Sequence, residues 1–182
     1  MPKPVGILTF LSALLFGTFS VGASQVLRYE IQVRELHPQA TASVRETVKA
    51  SEVGDELGHV LPDIFSFLQK KGVTPSGSPF TRYFAFNDGS IDLEAGLPVT
   101  EEFTAEGKIQ SGELPGGLAA VTLHTGSYEK LPLAYQALQA WIRAHDYVPA
   151  GAPWEVYLSD PAETKTEVLW PIQPKAPSVS AR

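Results

Sequence analysis

The chain has 182 residues, of which 43% are hydrophobic and 19% are charged, and its formal net charge is -6. A chain of this length buries one substantial core and leaves no room for a second domain of ordinary size. The acidic balance argues against nucleic acid as the main partner. Cysteine is absent, which excludes disulfides, thiolate catalysis and cysteine-ligated zinc.

The chain begins with an apolar segment. Residues 5–21 contain no charged side chain, and the run ends in the small residues at 21–23. We interpret residues 1–23 as a cleaved signal peptide, because glycine and serine dilute the hydrophobicity of its second half. The alternatives are an uncleaved membrane anchor at 5–21, which would be the only membrane contact, and a buried N-terminal helix. The first two interpretations place the domain in the periplasm or outside the cell.

The remaining pattern predicts further elements in chain order. The first predicted strand is at 26–36, and it is followed by a strand at 40–48, a helix at 55–71 and strands at 80–86 and 90–99. A strand at 118–124, a helix at 131–145 and strands at 154–158 and 168–172 follow. Asn87-Asp88-Gly89 predicts a hairpin turn. The tail 174–182 is rich in proline, serine and alanine, and we expect it to be disordered.

The domain consists of two similar halves. Residues 75–84 align with 149–158 at an offset of 74 positions, without a gap. The helical stripe before them superposes at the same offset: Leu57, Val60, Leu61, Ile64, Phe67 and Leu68 fall on Leu131, Ala134, Tyr135, Leu138, Trp141 and Ile142. This persistence indicates an internal duplication, with halves at about 35–99 and 113–173.

The duplication predicts an α+β fold. Each half reads as strand, helix, strand, strand, and each helix must cover a sheet face with its apolar stripe. Two copies give an antiparallel sheet with both helices on one face. We expect a ligand cleft on the opposite, open face.

Several separated motifs resemble the GyrI-like effector-binding domain. They are Gly-Ser-Tyr-Glu at 126–129 and the segments 92–99, 112–117 and 149–158. The resemblance covers 26–173 and implies a module that binds cationic, aromatic or hydrophobic compounds, as in multidrug binding. Such modules occur in AraC- and MerR-type transcription regulators, in a gyrase-inhibitory protein, or alone. The residues before 26 are mostly apolar and do not form a helix-turn-helix unit, so a transcription-factor role is not carried over.

The resemblance places the family's pocket glutamate on Glu155. Tyr157 lies two residues further along the same predicted strand and therefore shares its face. The repeat puts Thr81 and Tyr83 in matching positions on the other half. A carboxylate among aromatic rings is poorly solvated when ionised, and a flat, partly apolar cation would stabilise it. The alternative is a solvated strand carboxylate.

Other candidates carry weaker signals. Glu94 is a second acidic residue for the cleft, on one strand face with Asp92, and Tyr128 falls where the family often supplies a pocket aromatic. Tyr135 and Trp141 lie at helical spacing, which is typical of core residues. The four histidines have no metal-ligand spacing, and no nucleotide or nucleophile motif occurs, so we predict neither a metal nor a cofactor.

Two functional classes remain. The first is an exported protein that binds amphiphilic small molecules. The alternative is a cofactor-free hydrolase of strained or reactive small molecules, in which Glu155 acts as general base and Tyr157 or Tyr83 donates a proton. A surface for a protein partner is a third, weaker interpretation.

Overall fold

The computed structural model describes residues 28–158 and 163–176. Within these ranges the chain forms two α-helices and nine β-strands. The expected export segment, residues 1–23, and the end of the expected tail, residues 177–182, lie outside the described residues. None of the helices in the described ranges is long and apolar enough to span a membrane.

The elements follow the predicted order, with two additional strands. The strands are β1 Gln32–Leu36, β2 Gln39–Lys49, β3 Phe80–Asn87, β4 Ser90–Pro98, β5 Gln110–Leu114, β6 Gly117–Thr125, β7 Tyr147–Pro149, β8 Trp154–Leu158 and β9 Lys165–Pro174. The helices are α1 Val53–Lys71 and α2 Leu131–Ala144, and a short 3-10 turn, Tyr128–Lys130, precedes α2. The α+β fold class is therefore confirmed.

The order of the strands reflects the duplication. The strands lie in the order β1-β6-β9-β8-β3-β4-β2-β5, every pair is antiparallel, and β7 pairs with β9. Read from either end, the order is an edge strand and then the first, the last and the next-to-last strand of one half. Thr81 and Glu155, which the offset of 74 relates, face each other across the central β3–β8 pair. The pseudo-twofold axis therefore passes between these two residues.

Both helices cover the same face of the sheet. Ile64 and Leu68 of α1 pack against β2 and β4, and Leu138 and Ile142 of α2 pack against β6 and β9. One row of paired residues on this face crosses the sheet from α1 to α2: Val44, Ala95, Thr81, Glu155 and Val168. Glu155 thus lies on the helix-bearing face, whereas we expected the ligand cleft on the opposite one.

The opposite face carries a packed apolar core. Phe80, Trp154 and Leu169 from the central strands contact Leu36 and Leu114 from the two ends of the sheet. The two ends of the sheet come together because short links connect strands near opposite edges. Two residues join β5 to β6, and two residues join β1 to β2. The curved sheet therefore fills this face with side chains.

Differences from the predicted elements are confined to edges and termini. The strands β5 and β7 were not predicted, because the first lacks apolar alternation and the second has only three residues. The first strand begins at Gln32 and not at residue 26. Order extends into the expected tail, where the Lys175 N–H donates to the Asp146 carbonyl at 2.7 Å.

The close approach of β4 to β2 and β3 requires glycine at position 96. A Cβ atom there would lie 2.6 Å from the Ala42 carbonyl oxygen and 2.9 Å from the Phe80 ring. We expect Gly96→Ala to lower the free energy of unfolding by about 1–3 kcal/mol through overpacking. Gly58→Ala in α1 is the matched control, because its Cβ would meet nothing within 4 Å. It should raise stability by about 0.5–1 kcal/mol in urea unfolding, and equal effects of the two substitutions would contradict the packing argument.

Candidate functional site

The Glu155 carboxylate is the centre of the candidate site. It lies on β8, near the pseudo-twofold axis, and is only 5% exposed. Tyr157 shares its strand face, as the alternation of a strand requires. The sequence prediction that these two side chains lie together therefore agrees with the structure.

Three tyrosine hydroxyls donate hydrogen bonds to this carboxylate. Tyr83 of β3 and Tyr157 of β8 donate to Oε2, at 3.1 Å and 3.0 Å. Tyr135 of α2 donates to Oε1 at 2.8 Å. Donors from three separate elements thus converge on one buried side chain.

The duplication explains two of these three donors. Tyr83 and Tyr157 are equivalent under the offset of 74, and both reach the same oxygen from opposite sides of the axis. Thr81, which is fully buried, occupies the position equivalent to Glu155. A second carboxylate there would repel the first, so threonine leaves the axis with a single negative group.

Burial sets the electrostatics of the site. Desolvation raises the pKa of Glu155 above its ordinary value of 4.5, and the three tyrosine hydrogen bonds oppose this shift. Burial and the neighbouring carboxylate raise the pKa of Tyr83, Tyr135 and Tyr157. The hydroxyls therefore keep their protons at neutral pH and act as donors, and an ionised Glu155 carboxylate would hold a poorly solvated charge.

Further aromatic rings extend the site outward. Phe86 stacks on Tyr83 and Tyr128 packs edge-on against Tyr157, each with ring centroids 6.2 Å apart. A β-bulge in β3 shifts the alternation after Tyr83, which brings Phe86 to the same side. Phe86 is 70% exposed and Tyr128 is 55% exposed. We call these two exposed rings the rim, because they lie outside the half-buried tyrosines.

Glu94 does not belong to this site, contrary to the prediction from its strand pattern. Ala95 is the β4 residue that pairs with Thr81, so the adjacent Glu94 points to the opposite face of the sheet. There its carboxylate accepts a hydrogen bond from the Ser43 hydroxyl at 2.6 Å. Asp92, on the same face as Glu94, forms an ion pair with Arg45.

Tyr135 is the site residue that the sequence analysis missed. Its helical spacing indicated a core position, and it does pack with the α2 core and against Trp170. A tyrosine on a buried stripe must also place its hydroxyl against a polar partner, which is the signal that could have found it. Trp141 stacks on His145 and Tyr147, away from Glu155.

The described ranges contain no group of three or more histidine, aspartate or glutamate side chains placed to hold a metal ion. The chemistry of the site is therefore that of one carboxylate, neutral hydroxyl donors and ring faces. Such a site attracts positive charge and apolar surface.

Glu155→Gln is expected to change how stability depends on pH. Because the folded-state pKa of Glu155 is raised, the folded chain binds more protons than the unfolded chain between 4.5 and that pKa. Wild-type stability should therefore fall as pH rises through this window and level off above it. Glu155→Gln should lose this pH dependence, so its free energy of unfolding relative to wild type should rise toward pH 8. Urea unfolding at a series of pH values measures the difference.

Glu94→Gln is the matched control for this prediction, because it removes a carboxylate from the opposite face. Its difference from wild type should not follow the same pH profile. A wild-type chain that gains stability over Glu155→Gln as pH rises through the window would contradict the electrostatic assignment.

Comparison with known proteins agrees with this fold. A model of the GyrI-like small molecule binding domain matches residues 29–173. The chain is similar to the EcmrR C-terminal domain, at 24% identity and a TM-score of 0.73, covering 81% of this chain and 99% of that one. It is also similar to EcmrR in an EcmrR–DNA complex, at 25% identity and a TM-score of 0.71, covering 81% of this chain and 58% of that one. It thus spans less than two thirds of that longer protein.

A third similar structure contains a ligand. SAV2435, bound to tetraphenylphosphonium, is 12% identical with a TM-score of 0.54, covering 79% of this chain and 94% of that one. Comparison with curated protein sequences gives no match. The family model extends over most of the chain, and the chain therefore belongs to the GyrI-like family of small-molecule-binding domains.

Proposed function

We propose that the chain binds hydrophobic, aromatic cations at Glu155. The observation that carries this proposal is a carboxylate that is 5% exposed and whose three hydrogen-bond donors are all neutral hydroxyls. Hydroxyls solvate the carboxylate but do not neutralise its charge. A bound cation supplies the opposite charge that the site lacks.

The surrounding rings favour the same class of ligand. A cation over the face of a tyrosine gains about 0.5–2 kcal/mol from the ring quadrupole. The rim residues Phe86 and Tyr128 add apolar surface for the rest of a large ligand. SAV2435 offers a precedent within the fold, since its structure holds a tetraphenylphosphonium ion.

A second candidate is the hydrolase activity at the same carboxylate. The observation in its favour is that Tyr83 and Tyr157 place hydroxyl donors within 3.1 Å of Glu155 Oε2. In that reaction Glu155 would take a proton from water and a tyrosine would give one to the leaving atom. Recovery of ligands intact or hydrolysed separates the two candidates.

Binding of tetraphenylphosphonium should raise the midpoint of thermal unfolding of the full chain. At 100 times its dissociation constant a ligand adds about 2.7 kcal/mol, which corresponds to several degrees for a domain of this size. The shift should disappear in Glu155→Gln and persist in Glu94→Gln. Mass spectrometry of the ligands after incubation reports whether they are intact.

The affinity should also depend on pH. Tetraphenylphosphonium has no titratable group, so its pH dependence reports on the protein. Affinity should fall as pH drops through the pKa of Glu155, which lies above 4.5, because the protonated carboxyl has no charge to offer. Calorimetric titrations at several pH values measure this, with Glu155→Gln expected to be flat. Equal binding by wild type and Glu155→Gln at pH 8 would contradict the proposal.

We propose further that this binding takes place outside the cytoplasm, from the uncharged apolar run at 5–21 and the small residues that follow it. We expect cleavage after Ala23 when the gene is expressed in its host, which would leave Ser24 as the N-terminus. Cell fractionation with intact-mass analysis measures both. An exported chain of full length would support the anchor instead, and a full-length chain in the cytoplasm would contradict export.

A further inference from the structure

His124 is a fully buried histidine that the proposed binding mechanism does not use. It lies on β6, and its exposure is 0%. Both ring nitrogens have partners: Nε2 lies 3.0 Å from the Ser127 carbonyl oxygen and Nδ1 lies 2.8 Å from the Tyr29 hydroxyl. The Tyr29 ring also stacks on the imidazole, with centroids 6.0 Å apart.

These contacts fix one tautomer of the ring. The Ser127 carbonyl only accepts, so Nε2 must carry the hydrogen and donate to it. In the neutral ring Nδ1 is then an acceptor, and the Tyr29 hydroxyl donates to it. The Ser127 carbonyl therefore sets the tautomer, and the Tyr29 hydroxyl, on the N-terminal side of β1, holds the ring in place by donating to Nδ1.

The Ser127 carbonyl belongs to the turn that carries one half of the rim. Gly126 has φ of 116°, a left-handed value suited to glycine, and the 3-10 turn begins at Tyr128. The Ser127 carbonyl also accepts the Lys130 N–H at 3.0 Å. Through this turn His124 connects to the edge-on contact between Tyr128 and Tyr157, and so to Glu155.

The two sides of the rim are held differently. Phe86 lies within β3, where its backbone pairs with β4, and its ring stacks on Tyr83. Tyr128 lies on the 3-10 turn outside the sheet, so its backbone is not part of a strand pair. The offset of 74 places Ala50 at the position equivalent to His124, so the imidazole has no counterpart in the first half.

We propose that His124 is a positioning residue of the ligand site, which holds Tyr128 over Tyr157 through the Ser127 carbonyl, and that the Tyr29 hydroxyl holds the imidazole in this position. This role rests on the proposed binding of cations at Glu155. Tyr128 closes the second-half side of the site, so a loosened turn lets a bound ligand leave faster. Residues just before β1 thereby take part in ligand retention.

Tyr29→Phe tests this role with the smallest change, since it removes only the hydroxyl that donates to Nδ1. In the full chain at pH 8 we expect nitrogen-15 spectra of the histidine rings to show a shifted Nδ1 resonance for His124, because this nitrogen loses its hydrogen-bond donor while Nε2 keeps its hydrogen. The dissociation rate of tetraphenylphosphonium should rise about twofold to tenfold, the range for one hydrogen bond. Thr122→Val is the matched control: it removes a 2.7 Å bond from the same strand to the Glu30 carbonyl without touching His124. It should leave the dissociation rate unchanged.

A double-substitution cycle separates positioning from general loosening. Tyr128→Ala removes the ring itself and should raise the dissociation rate, and adding Tyr29→Phe to it should give no further increase, because both act through Tyr128. An unchanged Nδ1 resonance, an unchanged dissociation rate in Tyr29→Phe, or additive effects in the cycle would each overturn the role of His124. Absence of tetraphenylphosphonium binding to the unmodified chain would instead overturn the proposed function, while the imidazole spectra, recorded without ligand, still decide whether the Tyr29 hydroxyl holds His124.

Discussion

The burial of the Glu155 carboxylate is the constraint around which the centre of the molecule is arranged. Moving an ion out of water costs several kcal/mol even after relaxation, and hydrogen bonds to a charged group each return about 1.5–3 kcal/mol. Tyr83, Tyr135 and Tyr157 supply three such bonds from β3, α2 and β8. Each donor must therefore be held at its position by packing: Tyr83 packs against the apolar residues of β4 and Tyr135 against the α2 core, while Tyr157 packs against the ring of Tyr128. The stability of the sheet and helices offsets the cost of keeping a charge at the axis.

The duplicated architecture gives this charge its position. Residues near a twofold axis meet their own counterparts, so a pair at the centre of the β3–β8 ladder is in direct contact. The halves differ at this pair, with Thr81 on one side and Glu155 on the other, but keep the tyrosine two residues later. One carboxylate therefore receives two equivalent donors. A symmetric pair of hydroxyls beside a single carboxylate follows from divergence at this position. The third donor, Tyr135, has no equivalent because Leu61 stands at its position in the first half.

The parts of this arrangement that depend on local periodicity could be predicted from the sequence, and the parts that depend on register could not. Strand alternation places Tyr157 beside Glu155, and the repeat places Thr81 and Tyr83 opposite, because both relations survive without knowledge of the neighbouring strand. The face of Glu94 depends on which β4 residue pairs with Thr81, and a shift of one residue reverses it. Glu155 faces the helices, opposite to the face where we expected the ligand cleft. Local periodicity does not show this, because the two-residue links join strands that are consecutive in sequence but lie near opposite edges of the sheet.

The hydrogen-bonding state of the carboxylate bears on how a ligand would be selected. A carboxylate offers about four acceptor positions, and the tyrosines occupy three of them. A ligand that relies on N–H donors must displace these hydroxyls, which are held by burial in the sheet and in α2. A cation without N–H donors needs no acceptor and interacts through charge and ring faces alone. On the proposed function, the three neutral hydroxyls therefore favour ligands that are recognised by charge and shape over ligands that need directional hydrogen bonds. This selectivity has the same origin as the stability of the site, because the same hydroxyls stabilise the buried carboxylate.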